Sequence, residues 1–156
     1  MIFECASLQE TIELGRQIGC QLEDGDVIAL HGDLGAGKTT IVSGIAMGAG
    51  VPQDYAVTSP TFVLMHEYPG RLKIFHLDFY RISRFEEIRS LGLDEFIGLE
   101  NVCIVEWFEK FPSVWTGDTI HLYLSMKNET TRIVELRPTG VRSQRLIDKN
   151  MENGRA

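Results

Sequence analysis

The stretch Gly32-Asp33-Leu34-Gly35-Ala36-Gly37-Lys38-Thr39 fits G-x-x-x-x-G-K-[ST], the phosphate-binding P-loop, and a second threonine follows at Thr40. The motif constrains both conformation and neighbours. Gly32, Gly35 and Gly37 let the backbone take positive φ and approach an anion closely, so that successive N–H groups point inward around a phosphate. Lys38 adds a point charge at the β/γ oxygens, and the Thr39 hydroxyl is placed to ligate a bridging Mg2+. Residues 26–30 before the loop read as a short apolar strand, and residues 40–49 after it as a helix. Strand, loop and helix is the order such a loop requires, whereas a Gly-rich surface turn requires neither neighbour. The expectation is a nucleoside triphosphate site.

Composition limits the partners. The chain has 156 residues, 44% of them hydrophobic, which suits one domain with a substantial core. Fifteen basic residues against 22 acidic ones give a net charge of −7, which argues against a stand-alone nucleic-acid binder. Cys5, Cys20 and Cys103 are odd in number and far apart, indicating reduced thiols rather than a disulfide framework or a zinc site. The N-terminus shows no basic segment leading into an apolar run, and no apolar stretch approaches a membrane span. The expected location is the cytoplasm.

Local signals outline the remaining elements. Residues 1–5 suit a strand. Ser7 with Glu10 reads as a capping box for a helix carrying Leu8, Ile12, Gly15, Ile18 and Leu22 on one side. Gly44 and Gly48, four apart in the P-loop helix, suggest close packing against a sheet, and Gly50 ends that helix. Residues 56–68 and 71–78 read as strands joined by Pro69-Gly70, and Ser83 with Glu86 as a capping box for a short helix through Leu91. Residues 102–105 are apolar throughout, as in a strand buried on both faces. Residues 119–126 and 132–137 form a hairpin about Lys127-Asn128-Glu129. The fold expected is α/β, a three-layer P-loop arrangement with a mixed, partly parallel sheet flanked by helices. Residues 1–138 form its single domain, and the polar, aperiodic residues 139–156 a mobile tail.

A P-loop needs an acidic partner for Mg2+, usually at the end of a buried strand. Glu106, closing the apolar run, is the better match. Asp78 ends a strand that alternates more, as a partly exposed one would, and either acid has the simpler reading of a helix cap or an ion-pair partner for Arg81. Thr58-Ser59-Pro60-Thr61 reads as a Pro-containing turn or as a nucleotide-sensing loop whose hydroxyl meets the γ-phosphate or the Mg2+ shell. Trp107 has the simpler reading of core. His76 shares H-x-D spacing with Asp78 but lacks a third ligand, so a hydrogen-bonded histidine is the plainer reading.

In order along the chain, Gly32–Thr40 reads GDLGAGKTT, Ser59-Pro60-Thr61-Phe62 an S-P-T-F segment, His76–Arg81 an H-x-D-[LF]-Y-R segment, and Val105-Glu106-Trp107 an E-W pair. With a late strand arginine at Arg132, the chain resembles the TsaE (YjeE) family of small P-loop ATPases over about residues 1–137. After the E-W pair the family's usual Pro or small residue then Glu is replaced by Phe108-Glu109. The resemblance implies ATP with Mg2+. It implies that Gly35, Ala36, Gly37, Lys38, Thr39 and Thr40 hold the phosphates, that Thr39 and Glu106 hold the metal, and that Thr11 and Arg132 flank adenine. It implies further that Lys38, Asp78, Glu106 and Trp107 serve hydrolysis, with Asp78 orienting the attacking water. The implied role is to support a TsaD–TsaB-type complex that makes threonylcarbamoyladenosine in tRNA, with tRNA met only through that complex and no membrane involved. Two alternatives stand beside this reading. A small-molecule P-loop kinase would need an Arg-rich lid, and no such insert is visible. A non-catalytic adaptor gated by nucleotide would need binding alone. A regulatory GTPase is disfavoured, since neither N-K-x-D nor D-x-x-G occurs.

Overall fold

A computed structural model describes residues 1–153 of the chain. Seven strands form one sheet: β1 Ile2–Cys5, β2 Val27–His31, β3 Met65–Tyr68, β4 Ile74–Asp78, β5 Val102–Glu106, β6 Ile120–Met126 and β7 Arg132–Pro138, in the spatial order β1-β7-β6-β2-β5-β4-β3. The four central strands β6, β2, β5 and β4 run parallel, and β7, β1 and β3 extend the sheet antiparallel at its two sides. The helices are α1 Leu8–Gln21, α2 Lys38–Gly48, α3 Phe85–Ser90 and α4 Val141–Asn153. One face of the sheet packs on α1, α2 and α4 through Ile28, Leu30, Ile104 and Leu122. The other packs on α3 and the short 3-10 turns through Val27, Ala29, Cys103 and Val105. The three-layer α/β architecture with a mixed, partly parallel sheet is thus the one the sequence implies. No helix among the described residues is long and apolar enough to cross a membrane.

Helix α1 starts where its cap predicts: Ser7 Oγ accepts the Glu10 N–H at 3.2 Å, while Glu10 reaches back to the Ala6 N–H at 2.8 Å. Its inward stripe is Thr11, Leu14, Gly15, Ile18 and Gly19, and Leu8 faces solvent. The glycines of α2 do not meet the sheet. A Cβ on Gly44 would fall on the Ile12 carbonyl oxygen, one on Gly48 on that of Arg16, and one on Gly15 on that of Ile41. The two helices therefore cross backbone to backbone, and the spacing of four in each places both glycines on the shared face. The sequence announces the close approach without naming the partner.

Four other expectations are corrected. Residues 56–64 are loop, and β3 begins only at Met65. Strand β4 is buried along its whole length, because β3 and β5 flank it and both sheet faces are covered. The cap of α3 is Glu87, whose carboxylate accepts the Ser83 and Arg84 N–H groups at 3.2 and 2.9 Å; Glu86 does not provide it, and the helix ends at Ser90. The segment after Pro138 is helix α4 rather than a mobile tail. Leu146 and Ile147 enter the core, Asp118 accepts the Arg142 N–H at 2.7 Å, and Arg142 and Arg145 both bind the buried Asp26 carboxylate at 2.7 Å. Burial of an acid is tolerable when its charge is matched in this way, and these pairs bridge positions far apart in sequence. Residues 154–156 lie outside the described residues.

Candidate functional site

Strand β2 delivers the chain into the P-loop and α2 leaves it, so the loop sits at the carboxyl end of the parallel strands, where open α/β sheets place their ligands. Gly37 is the N-cap of α2 with φ 105°, a conformation that a side chain would strain, and no side chain caps the helix. The first-turn N–H groups of Lys38, Thr39 and Thr40 are thus left facing outward with the positive end of the helix dipole, as an anion site requires. Lys38 is buried, and its ammonium donates to the Gly32 carbonyl and, at 3.3 Å, to that of Asp33. Trp107 lies against it, with the ammonium 5.1 Å from the ring centre.

The two acids converge on this loop. Register pairs Glu106 of β5 with Leu30 of β2 on one side and with Asp78 of β4 on the other. Adjacent parallel strands in register turn the same face the same way, so both carboxylates stand beside the P-loop on the side of α2. Each is almost wholly buried, and their partners differ. Glu106 Oε1 meets His76 Nε2 at 2.8 Å. Asp78 Oδ2 accepts the hydroxyls of Ser59 at 3.2 Å and Thr61 at 3.0 Å, while Oδ1 accepts the Tyr80 N–H at 2.7 Å. Arg81 makes no ion pair with Asp78; its guanidinium lies over the Phe62 ring, 4.8 Å from the centre. Burial pushes the Tyr68 phenol above its ordinary range, and the negative charge of nearby Glu106 adds to the effect.

Two cavities share the loop between them. The first, about 420 Å³, includes Lys38, Thr39, Asp78, Glu106 and Trp107 in its lining, together with the Ser59 and Thr61 hydroxyls. The second, about 370 Å³, includes Thr11 and Arg132 with Ser7 and Leu8. Gly35, Gly37 and Thr40 border both. The expected site residues therefore divide into a polar chamber with the acids and a neighbouring slot with Thr11 and Arg132. Arg132 donates to the carbonyls of Asn128 and Glu129, each at 3.2 Å, which holds it at the edge of the slot. Ala36 stands apart: its methyl is in the core and its N–H is taken by the Asp33 carbonyl at 3.0 Å.

Trp107 is the surprise of the site. With φ 58° it occupies the left-handed region, which is rare for a bulky residue, and its ring stacks obliquely on Tyr80 at 5.1 Å. Its residue type alone suggests core and the family resemblance implies a part in hydrolysis, but neither announces the left-handed backbone, which has no signature in the sequence. Tyr80 lies within the H-x-D-[LF]-Y-R segment without being singled out there, and the His76 link to Glu106 joins two strands and so appears in neither one's sequence. Glu109, next to Phe108 where the family's usual pattern changes, pairs with His31 Nδ1 at 3.1 Å, on the opposite sheet face from the acids.

Residues 5–134 match the family described as threonylcarbamoyl adenosine biosynthesis protein TsaE. The chain is 37% identical over 126 residues to the tRNA threonylcarbamoyladenosine biosynthesis protein TsaE of Treponema pallidum (strain Nichols), covering 81% of this chain and 92% of that one. It is 33% identical over 142 residues to the protein of the same name from Bacillus subtilis (strain 168), covering 90% and 87%. The crystal structure of Bacillus subtilis YdiB superposes with a TM-score of 0.85 at 27% identity, over 99% of this chain and 95% of that one. A family match across most of the chain, relatives covered nearly end to end and a shared fold lead to one conclusion: the chain belongs to the TsaE family.

Proposed function

We propose that this chain is the ATP-hydrolysing member of the cytoplasmic machinery that makes threonylcarbamoyladenosine in tRNA, acting with a TsaD–TsaB-type complex. The observation that carries the hydrolytic part is the meeting of Lys38, Thr39, Asp78 and Glu106 around one cavity at the N-terminus of α2. In this reading the outward N–H groups of the P-loop and first turn bind the phosphates, and Lys38 leaves the Gly32 and Asp33 carbonyls to meet them. Thr11 and Arg132, in the neighbouring slot, flank the adenine. Asp78 orients the attacking water and its carboxylate is the group that can take the water's proton, while its hydroxyl partners Ser59 and Thr61 stand at the γ-phosphate end.

The donor set suits Mg2+. Among the described residues no group of three or more His, Cys, Asp or Glu side chains is placed to hold a metal by itself. Mg2+ needs few protein oxygens, because it keeps waters and takes phosphate oxygens, and Thr39 with Glu106 would supply them. When bound, the ion neutralises charge that develops on the phosphate oxygens.

Hydrolysis by the isolated chain should be slow and partner-stimulated. None of the residues lining the first cavity is an arginine, and Arg81 and Arg132 are engaged elsewhere. An arginine supplied in trans contributes roughly 10³–10⁵ in rate to P-loop enzymes. The same bare cavity speaks against a kinase, which closes arginines over its phosphates to exclude water. Reconstitution with TsaD and TsaB, following ATP hydrolysis and tRNA modification together, tests the proposal. Stimulated hydrolysis and ATP-dependent multiple turnover are expected; a fast isolated enzyme indifferent to both partners would refute it.

A further inference from the structure

His76 is completely buried in the middle of β4, where a neutral or charged imidazole is costly unless its nitrogens are satisfied. Both find partners. Nε2 lies 2.8 Å from Glu106 Oε1, and Nδ1 lies 3.5 Å from the Tyr68 hydroxyl, which donates to the Thr58 carbonyl at 3.1 Å. Register explains the reach: His76 stands opposite Ile104, two residues before Glu106 on the neighbouring strand, so both side chains project on one sheet face. A satisfied core histidine would need only some acceptor. This one takes the carboxylate that lines the phosphate cavity, and it takes one oxygen of it.

The chain of contacts does not stop there. Thr58, which accepts from Tyr68, adjoins Ser59, whose hydroxyl binds Asp78. The two acids, adjacent in register, are therefore linked a second way, through His76, Tyr68 and the 58–61 loop. Tyr68, three-hundredths exposed at most and packed against the imidazole at 6.1 Å between ring centres, limits how the ring can turn.

We propose that His76 is a positioning residue for the metal: its Nε2–H holds Glu106 Oε1, so that the other carboxylate oxygen is kept for Mg2+ beside Thr39. This rests on the ATP and Mg2+ reading above. Groups that orient a ligating side chain are worth as much as tenfold or more in metal affinity, because a free carboxylate must be ordered at the moment of binding.

The test is calorimetric titration of the full-length chain with ATP, at graded Mg2+ and without it, in wild type, His76→Leu, His76→Gln and His76→Asn. Glutamine extends an N–H to about the place of Nε2, whereas asparagine places its amide near Nδ1 and falls short of Glu106. The half-saturating Mg2+ concentration should rise about 10- to 100-fold in His76→Leu and His76→Asn and return most of the way in His76→Gln, with metal-free ATP affinity within about twofold throughout. Thermal unfolding of each variant accompanies the titrations; should leucine prevent folding, the asparagine–glutamine contrast decides alone. Unchanged Mg2+ dependence in His76→Asn, or a glutamine variant no better than asparagine, would overturn the proposal. Wild-type ATP binding indifferent to Mg2+ would instead remove the reading beneath it, and the positioning role with it.

Discussion

The two walls of the cavity at the P-loop are built on different principles. On one side, α2 is pressed backbone to backbone on α1 at Gly15 and Gly44, with Ile41 and Ile45 fully buried behind it. No side-chain rotation can shift that wall, since the touching atoms are main chain. On the other side, the 58–64 loop is tied to Asp78 by the hydroxyls of Ser59 and Thr61. Phe62 beside them is 80% exposed, and the flanking Leu64 and Trp107 both have positive φ. Hydroxyl bonds exchange readily, and non-glycine residues in the left-handed region store about 1–3 kcal/mol each. Under the proposed function the difference separates binding from change: charge already present on a bound phosphate would meet the fixed wall, and whatever alters during hydrolysis would meet the adjustable one.

Substitutions on each wall sharpen the contrast. The largest effect is expected from Glu106→Gln, which should slow single-turnover hydrolysis by about 10²–10³-fold while leaving ATP affinity within a few-fold. Lys38→Ala, on the fixed wall, should do the reverse and weaken ATP binding by about 10- to 100-fold, the value of a charged hydrogen bond. A Glu106→Gln enzyme with wild-type hydrolysis would make Asp78 the metal-linked acid and reverse the assignment.

A smaller effect tests the rigidity itself. Gly44→Ala puts a methyl onto the Ile12 carbonyl, and neither helix can yield without the other. A loss of about 1–3 kcal/mol is expected, seen as a melting temperature lower by about 2–4 °C per kcal/mol. Ser59→Ala, which removes one of two hydroxyls from Asp78, should leave the melting temperature nearly unchanged and alter hydrolysis instead. Equal melting losses in the two variants would erase the distinction between the walls.

Both walls carry features that the sequence displayed and features that it hid. The P-loop, the Ser7–Glu10 cap and the apolar run of β5 are local signals, each decided within a few residues, and they lead to the observed sheet and to the two acids that line the cavity. The glycine pair in α2 was visible as a close approach, yet spacing within one helix cannot say whether a sheet or α1 lies opposite. The burial of β4 depended on having neighbours on both sides, and the docking of α4 on Asp26 meeting arginines more than a hundred residues away. The His76–Glu106 bond joins two strands, so neither strand's sequence contains it.

The smallest expected effect lies outside both walls. On the opposite face of the sheet, His31 Nε2 and His121 Nδ1 are 2.8 Å apart, with Glu109 and Arg137 nearby. Burial lowers the pKa of both histidines below the ordinary value; for His31 the Glu109 carboxylate opposes this, and for His121 the charges of His31 and Arg137 add to it. Below about pH 6.5 the unfolded chain therefore binds protons that the folded one refuses, so stability is complete above that pH, falls as the pH drops from there toward the lower folded values, and levels off beneath them. The melting temperature should be lower at pH 5.5 than at 7.5, and His121→Phe should flatten the difference. A melting temperature that rises on acidification would contradict the neutral pair.

Amide hydrogen exchange, read along the whole chain with and without Mg2+ and a non-hydrolysable ATP analogue, tests the central claim most directly. Protection should increase over residues 33–40, where the N–H groups acquire phosphate partners, and over residues 58–64, where the hydroxyl loop is reordered around Asp78. The contact face of α1 and α2 should exchange slowly in both states and hardly change. No added protection at the P-loop would contradict the nucleotide site itself, and slowing spread evenly over α1, α2 and the 58–64 loop would contradict the division between a fixed and an adjustable wall.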